Sequence, residues 1–226
     1  LGKRIDIGIV DYDMGNLMSV SRAFASQGFS VTVSEDAGKL ECVSGLVLPG
    51  VGAFRDCMRN LEERGLTGFI RDWILSGKYF LGICLGLQLL FAESLEFGVY
   101  RGLGLIKGQV VKFPHGMKEP TSYAEGAEEE ILKVPHMGWN QVNYPEGSPF
   151  FQGIPQDSNF YFVHSYYVVP GEDVRTCRTR YGIEFVSGIE RENVISVQFH
   201  PEKSQKVGLK LLKNFGTLAV GERMQS

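Results

Sequence analysis

Cysteine and histidine are scarce in this sequence, at four residues each, so the placement of each one carries information. Tyr79-Phe-Leu-Gly-Ile-Cys-Leu-Gly-Leu-Gln-Leu-Leu90 runs from an apolar, strand-like stretch into a Leu-rich helical one, with Cys84 at the turn between them. Gly82 and Gly86 stand two residues to either side. That is what a nucleophile elbow requires, because the tight reversal leaves no room for Cβ atoms beside the exposed side chain. The N–H groups of the following helix point at the sulfur and favour negative charge there. A buried structural cysteine is the competing reading, but it explains neither the glycines nor the order strand, turn, helix.

A thiolate nucleophile needs a partner that takes and returns a proton near neutral pH, and histidine is the natural choice. The histidines are His115, His136, His164 and His200. His115 falls in a loop, and His164, at the centre of a strand-like run, reads by itself as a satisfied core histidine. His200 ends a strand and precedes Glu202 by two residues. If the chain stays extended through Pro201, both side chains share one face and the carboxylate can orient the imidazole. The alternative is a surface His and Glu bracketing a turn proline. With Cys84 included, the set forms a Cys-His-Glu triad for acyl transfer through a thioester. Pro49-Gly-Val-Gly52 lies just past a short apolar strand, and its Gly50-Val51 backbone is a candidate oxyanion hole. A simple turn is the competing reading there. The residues reach a cysteine acyl-transferase or hydrolase without naming the acyl group.

The flanking elements read as an α/β fold. Strands are expected over 5–10, 30–34, 45–50 and before Cys84. Helices are expected from Leu17 to the stop at Gly28, around 54–64 and 67–75, and from Leu85 to about Glu93. Asn16 suits the first helix's N-cap. Strand, helix and strand at this spacing imply βαβ units and a parallel sheet. Antiparallel strands are expected over 100–113 and 134–144, further strands over 159–169, 175–180, 183–190 and 194–198, and a last helix over 205–220. Residues 114–130, with an acidic run at Glu128, Glu129 and Glu130, read as a solvated, mobile insertion on a hairpin. With no linker or repeat, one domain over 1–226 is expected.

The composition is that of an ordinary soluble protein: 226 residues, 43% hydrophobic, 22% charged, net charge −3. Its 23 basic residues are scattered among 26 acidic ones, which argues against nucleic acid as a partner. Cys42, Cys57, Cys84 and Cys177 form no Cys-x-x-Cys pair, so free thiols in a reducing compartment are expected, with no structural metal. The start of the chain lacks the long apolar segment of a signal peptide, and no apolar run approaches the ~20 residues of a membrane span. A cytoplasmic location is the expectation.

Taken together, Gly82-Ile-Cys-Leu-Gly-Leu-Gln88 and the downstream His200-Pro-Glu202 resemble the signature of the class I, triad-type glutamine amidotransferases. More narrowly, the chain is similar to the glutaminase subunits of imidazole glycerol phosphate synthase. Gly15-Asn-Leu17 and the blocks at 48–54, 84–90, 135–140, 161–166 and 198–204 follow that group's order. The resemblance implies a flavodoxin-like three-layer α/β/α domain with a mostly parallel sheet and an antiparallel extension. It also implies that Cys84 attacks the glutamine carboxamide, that His200 moves the protons and that Glu202 orients His200. Gly50, Val51 and the N–H of Leu85 would hold the oxyanion, with a peptide flip in the loop. Gly52, Gln88, His164, Ser165 and Tyr166 would grip the glutamine, which moves His164 from the core to the wall of the site. No cofactor is implied. The implied partner is a (β/α)8-barrel cyclase subunit that receives ammonia without release to solvent, facing Trp139, Tyr161 and Lys203. Two rivals are a sister amidotransferase of another pathway and a catalytically silent scaffold subunit. Residues 114–130 depart from the pattern, being longer and more acidic.

Overall fold

The computed structural model describes residues 6–120 and 128–221. Ile5, where the first strand is expected to begin, and residues 121–127 of the acidic segment lie outside these. In chain order the strands are β1 (Ile7–Val10), β2 (Val31–Ser34), β3 (Gly45–Gly50), β4 (Tyr79–Cys84), β5 (Phe91–Ser94), β6 (Tyr100–Arg101), β7 (Ile106–Lys112) and β8 (Lys118–Pro120). They continue as β9 (Glu129–Ile131), β10 (His136–Val142), β11 (Ser158–His164), β12 (Tyr166–Pro170), β13 (Arg175–Tyr181), β14 (Ile183–Arg191) and β15 (Val194–Val197). The α-helices are α1 (Leu17–Ser26), α2 (Ala37–Leu40), α3 (Phe54–Glu63), α4 (Leu66–Leu75), α5 (Leu85–Gln88) and α6 (Gln205–Val220).

Strands β2, β1, β3, β4 and β15 lie side by side and parallel. This is the 2-1-3-4-5 order of flavodoxin-like sheets, which gather ligand sites at the carboxyl ends of their strands. Beyond β15 the same sheet continues through β14, β12, β7, β5 and β6, with β13 paired to β14. This extension is antiparallel except where β5 runs parallel to β7.

Side chains alternate across the pleat, so each strand feeds two cores. Ile7, Ile9 and Val47 point to one face, packing with Phe24 of α1 and Leu211, Leu212 and Phe215 of α6. Leu46, Leu48 and Phe80 point to the other, against Phe54, Leu61, Ile70 and Trp73 of α3 and α4. Three layers result. Asn16 caps α1 as its position implies, its side chain accepting a hydrogen bond from Ser19 N at 3.3 Å. No helix among the described residues is long and apolar enough to cross a membrane.

Several local expectations need correction. The helix expected from Leu85 to about Glu93 is the single turn α5, after which Phe91–Ser94 forms β5. Phe91 packs into the core, and Phe91, Glu93 and Ser94 register with Ile106, Gln109 and Val110 of β7, so tertiary pairing overrides the Leu-rich helical pattern. The strand expected over 159–169 breaks at Ser165 into β11 and β12, which belong to different sheets. β10 and β11 form a separate antiparallel pair, His136 opposite His164 and Trp139 opposite Tyr161. The stretch 100–113 is likewise two strands, β6 and β7. At the acidic segment, β8 pairs antiparallel with β9.

Candidate active site

Cys84 is the last residue of β4 and the residue before α5. Its φ of 55° and ψ of −107° lie where an L-residue is strained. The glycines make this turn sterically feasible. A Cβ on Gly86 would overlap the carbonyl oxygen of Leu48, and one on Gly82 would sit 2.6 Å from Ser196 Oγ. The elbow therefore packs directly on β3 and β15, which brings Gly50 level with Cys84 across the parallel ladder.

The loop after β3 is held from two sides. Tyr12 Oη donates to the Pro49 carbonyl at 2.7 Å, and Cys57 Sγ donates to the Val51 carbonyl at 3.6 Å. Burial pushes the Tyr12 hydroxyl and the Cys57 thiol up, the thiol to about 12, so both remain protonated donors near neutrality. The Gly50–Val51 peptide lies between the two anchored carbonyls.

His200 and Glu202 leave the end of β15 on a 3₁₀ turn, Pro201–Lys203, not on the extended chain that i, i+2 spacing supposes. The turn still brings Glu202 Oε1 to 2.8 Å from His200 Nδ1, and both side chains are almost fully buried. Burial works against charge on the imidazole, but the Cys84 sulfur and the Glu202 carboxylate outweigh it and raise the His200 pKa to about 10. Nε2 of His200 is buried and has no partner in full hydrogen-bond geometry, yet Cys84 raises the imidazole pKa both through its charge and as a hydrogen-bond acceptor. Backbone contacts fix the turn: His200 N donates to Tyr161 O at 2.9 Å, Ser204 Oγ donates to His200 O at 2.7 Å, and Tyr161 N donates to Ser204 Oγ at 3.0 Å.

A cavity of about 240 Å³ opens over the elbow. Its lining includes Cys84, Leu85, Gly52, Gln88, His164, Ser165 and Tyr166. That volume is below the ~300–1,000 Å³ of drug-sized ligand pockets and suits a metabolite of amino-acid size. Glu96, Phe97 and Lys112 complete the wall, and none of the three is prominent in the sequence. Glu96 and Lys112 supply one carboxylate and one ammonium, the pair that an α-amino acid's own charges require. Burial raises the Glu96 pKa, and a 2.6 Å hydrogen bond from Phe54 N, at the start of α3, opposes that rise. A larger groove of about 650 Å³ lies near Asn140, Arg178 and Glu184, but Cys84, His200 and the elbow glycines are not part of its lining.

His164 is both a wall residue and a buried one, 6% exposed. Its Nδ1 lies 2.8 Å from the Tyr166 carbonyl, which can only accept, so Nδ1 carries the proton. Nε2 then accepts from His136 Nδ1 at 3.0 Å, and His136 Nε2 accepts from Asn140 Nδ2 at 3.2 Å. Burial lowers His164 to about 3 and His136 to about 4, with His136 and His200 adding to the effect at His164. Both are neutral at pH 7, which leaves His200 as the protonated imidazole nearest the sulfur.

Trp139, Tyr161 and Lys203 converge on one patch. The Trp139 and Tyr161 rings meet edge to face at 6.0 Å, and Lys203 Nζ sits 5.7 Å from the Tyr161 ring centroid. Trp139 is 47% exposed. The four cysteines are free, with Cys42 exposed, and no metal-binding cluster occurs among the described residues.

The model of the family described as glutamine amidotransferase class-I matches residues 8–218. The chain belongs to the class I glutamine amidotransferases. Within this amidotransferase family, it is 50% identical over 213 residues to the imidazole glycerol phosphate synthase subunit HisH of Geobacter sulfurreducens, covering 94% of this chain and 98% of that one. It is 51% identical to the HisH subunit of Syntrophotalea carbinolica, covering 94% and 100%, and 51% identical to that of Aquifex aeolicus, covering 92% and 94%. Among solved structures, PurLQS from Thermotoga maritima superposes with a TM-score of 0.69 at 19% identity, over 94% of this chain and 98% of that one. The amidotransferase fold is thus retained where little sequence is.

Proposed function

We propose that this amidotransferase is the glutaminase subunit of imidazole glycerol phosphate synthase, working in the cytoplasm in histidine biosynthesis. Cys84 attacks the side-chain carbonyl carbon of glutamine, forming the C–S bond while the oxygen takes up negative charge. The N–H of Leu85 and the Gly50–Val51 peptide, once turned toward the site, hold that oxyanion. Protonated His200 gives its proton to the departing nitrogen as the C–N bond breaks, leaving a γ-glutamyl thioester and ammonia. The now neutral imidazole removes a proton from water, which attacks the thioester and releases glutamate. Glu202 keeps the imidazole oriented and supports its cation. Gly52, Gln88, His164, Ser165 and Tyr166 position the glutamine, and Glu96 and Lys112 are placed to meet its α-amino and α-carboxylate groups.

Ammonia then passes to a (β/α)8-barrel cyclase subunit for formation of imidazole glycerol phosphate and AICAR. The partner docks on the patch of Trp139, Tyr161 and Lys203, whose two aromatic rings are of the kind enriched at interface centres. The reading is supported above all by one observation, a strained Cys84 elbow opening onto an amino-acid-sized cavity beside a buried His200–Glu202 pair. Its test is covalent capture. An electrophilic glutamine analogue is expected to label the Cys84 peptide stoichiometrically, and Cys84→Ala to abolish both labelling and glutamine turnover while leaving partner binding intact. Labelling confined to exposed Cys42 would contradict it.

A further inference from the structure

Gln198 follows the last residue of β15, two residues before His200, and is completely buried. Its backbone N–H donates to Ser187 O at 2.9 Å, anchoring it to β14. It does not line the cavity over the elbow. Its carboxamide Nε2 lies 3.6 Å from Cys84 Sγ, and its Oε1 accepts from Gln88 Nε2 at 3.0 Å.

The direction of these bonds follows from an atom whose role is unambiguous. The Tyr166 carbonyl can only accept, and Gln88 Nε2 reaches it at 3.1 Å. Gln88 must therefore present its NH₂ end, which also donates to Gln198 and forces an oxygen at that contact. Gln198 is left with its NH₂ aimed at the sulfur. The same carbonyl takes the Nδ1 proton of His164, so one backbone oxygen sets the polarity of both side chains on this wall.

Resting on Cys84 as the nucleophile, we propose that Gln198 is a further residue of the catalytic centre. Its N–H holds the charged Cys84 sulfur from the buried side, opposite the glutamine, in an orientation fixed by Gln88 and the Tyr166 carbonyl. A hydrogen bond to a charged acceptor is stronger than one to a neutral acceptor, so the contact favours the charged, attacking form of the sulfur over the neutral thiol. His200 Nε2, which has no partner in full hydrogen-bond geometry, is left to serve the leaving nitrogen.

The test is alkylation of the full chain by iodoacetamide without glutamine, read by mass on the Cys84 peptide so that exposed Cys42 does not contribute. Gln198→Glu keeps the shape and the acceptor for Gln88 but turns an oxygen toward the sulfur, and Gln198→Leu removes the donor. At pH 7, alkylation is expected to slow about tenfold or more in both, as loss of a hydrogen bond to charge predicts. The deficit should narrow as the pH is raised. Glutamine turnover should lose kcat by similar factors, with KM held within about twofold. Should Gln198→Leu fail to fold, the isosteric Gln198→Glu carries the test. Alkylation within twofold of the unsubstituted chain would overturn the proposal, as would a deficit equal at every pH, which marks altered access. A chain that alkylates as expected but never hydrolyses glutamine overturns the glutaminase reading and leaves the Gln198 contact standing.

Discussion

At the scale of single residues, Glu202 and His200 carry the sharpest consequence of the geometry. The Glu202 carboxylate stabilises the imidazolium, so its removal lowers the His200 pKa from its raised position near 10. Glu202→Gln should therefore draw the alkaline limb of the pH–rate profile to lower pH, because the proton owed to the leaving ammonia is lost sooner. It should also cut kcat by about a hundredfold or more, the range of a positioned acid–base group. A pH–kcat series on both chains checks both effects. Cys84, Gly82, Gly86, His200 and Glu202 were legible in the sequence because elbow and base each occupy a few consecutive positions. Glu96 was not, since nothing beside it in the chain distinguishes it, and Gln198, although it opens the block at 198–204, has no role that the block reveals. Glu96 becomes notable only because β5 carries the chain back to the start of α3, and Gln198 only because β15 lies against β4.

At the scale of elements, the β10–β11 pair links the exposed aromatic patch to the glutamine cavity, with the His136–His164 pair buried at one end of it. Unfolded histidines titrate near pH 6.5, whereas His136 is lowered to about 4 and His164 to about 3. Between pH 6.5 and 4 the unfolded chain thus binds up to about two protons more, and stability should fall with acidification by about 1.4 kcal/mol per pH unit for each histidine. His200 has the opposite sign. Its raised pKa adds stability that is complete below about 6.5 and is lost on the way up to about 10, so it adds no slope in the acidic window. Urea unfolding from pH 7 to 4 should show this loss, and His136→Gln should remove about half the slope. The parallel half of the fold was legible because period-two apolar runs alternate with helical ones. The break at Ser165 was not, since the run from Asn159 to Val169 is uniformly strand-like and its division between two sheets depends on distant partners. The 3₁₀ turn at Pro201–Lys203 was missed for a related reason: i, i+2 spacing is satisfied equally by a tight turn and an extended chain.

At the scale of the whole molecule, the proposed catalytic base and the proposed docking patch share a backbone. Tyr161 holds His200 and Ser204 through its main chain while its ring meets Trp139 and lies below Lys203. A partner pressing on this patch contacts the β11 segment that positions the base. Trp139→Ala should weaken association with the cyclase subunit about tenfold or more, as loss of a buried aromatic anchor does, with alkylation of Cys84 in the isolated chain unchanged. Titration calorimetry and the alkylation rate separate the two effects. The central claim is that a Cys84 glutaminase is completed by a barrel partner, and it is tested most directly by ammonia release from glutamine. The assay is run on the pure chain, then with the cyclase subunit and its nucleotide ligand, with Cys84→Ala as the control. A low rate alone, a rise of tenfold or more in the complex and none with Cys84→Ala is the predicted result. Turnover indifferent to the partner and its ligand, or persisting without Cys84, would contradict the account.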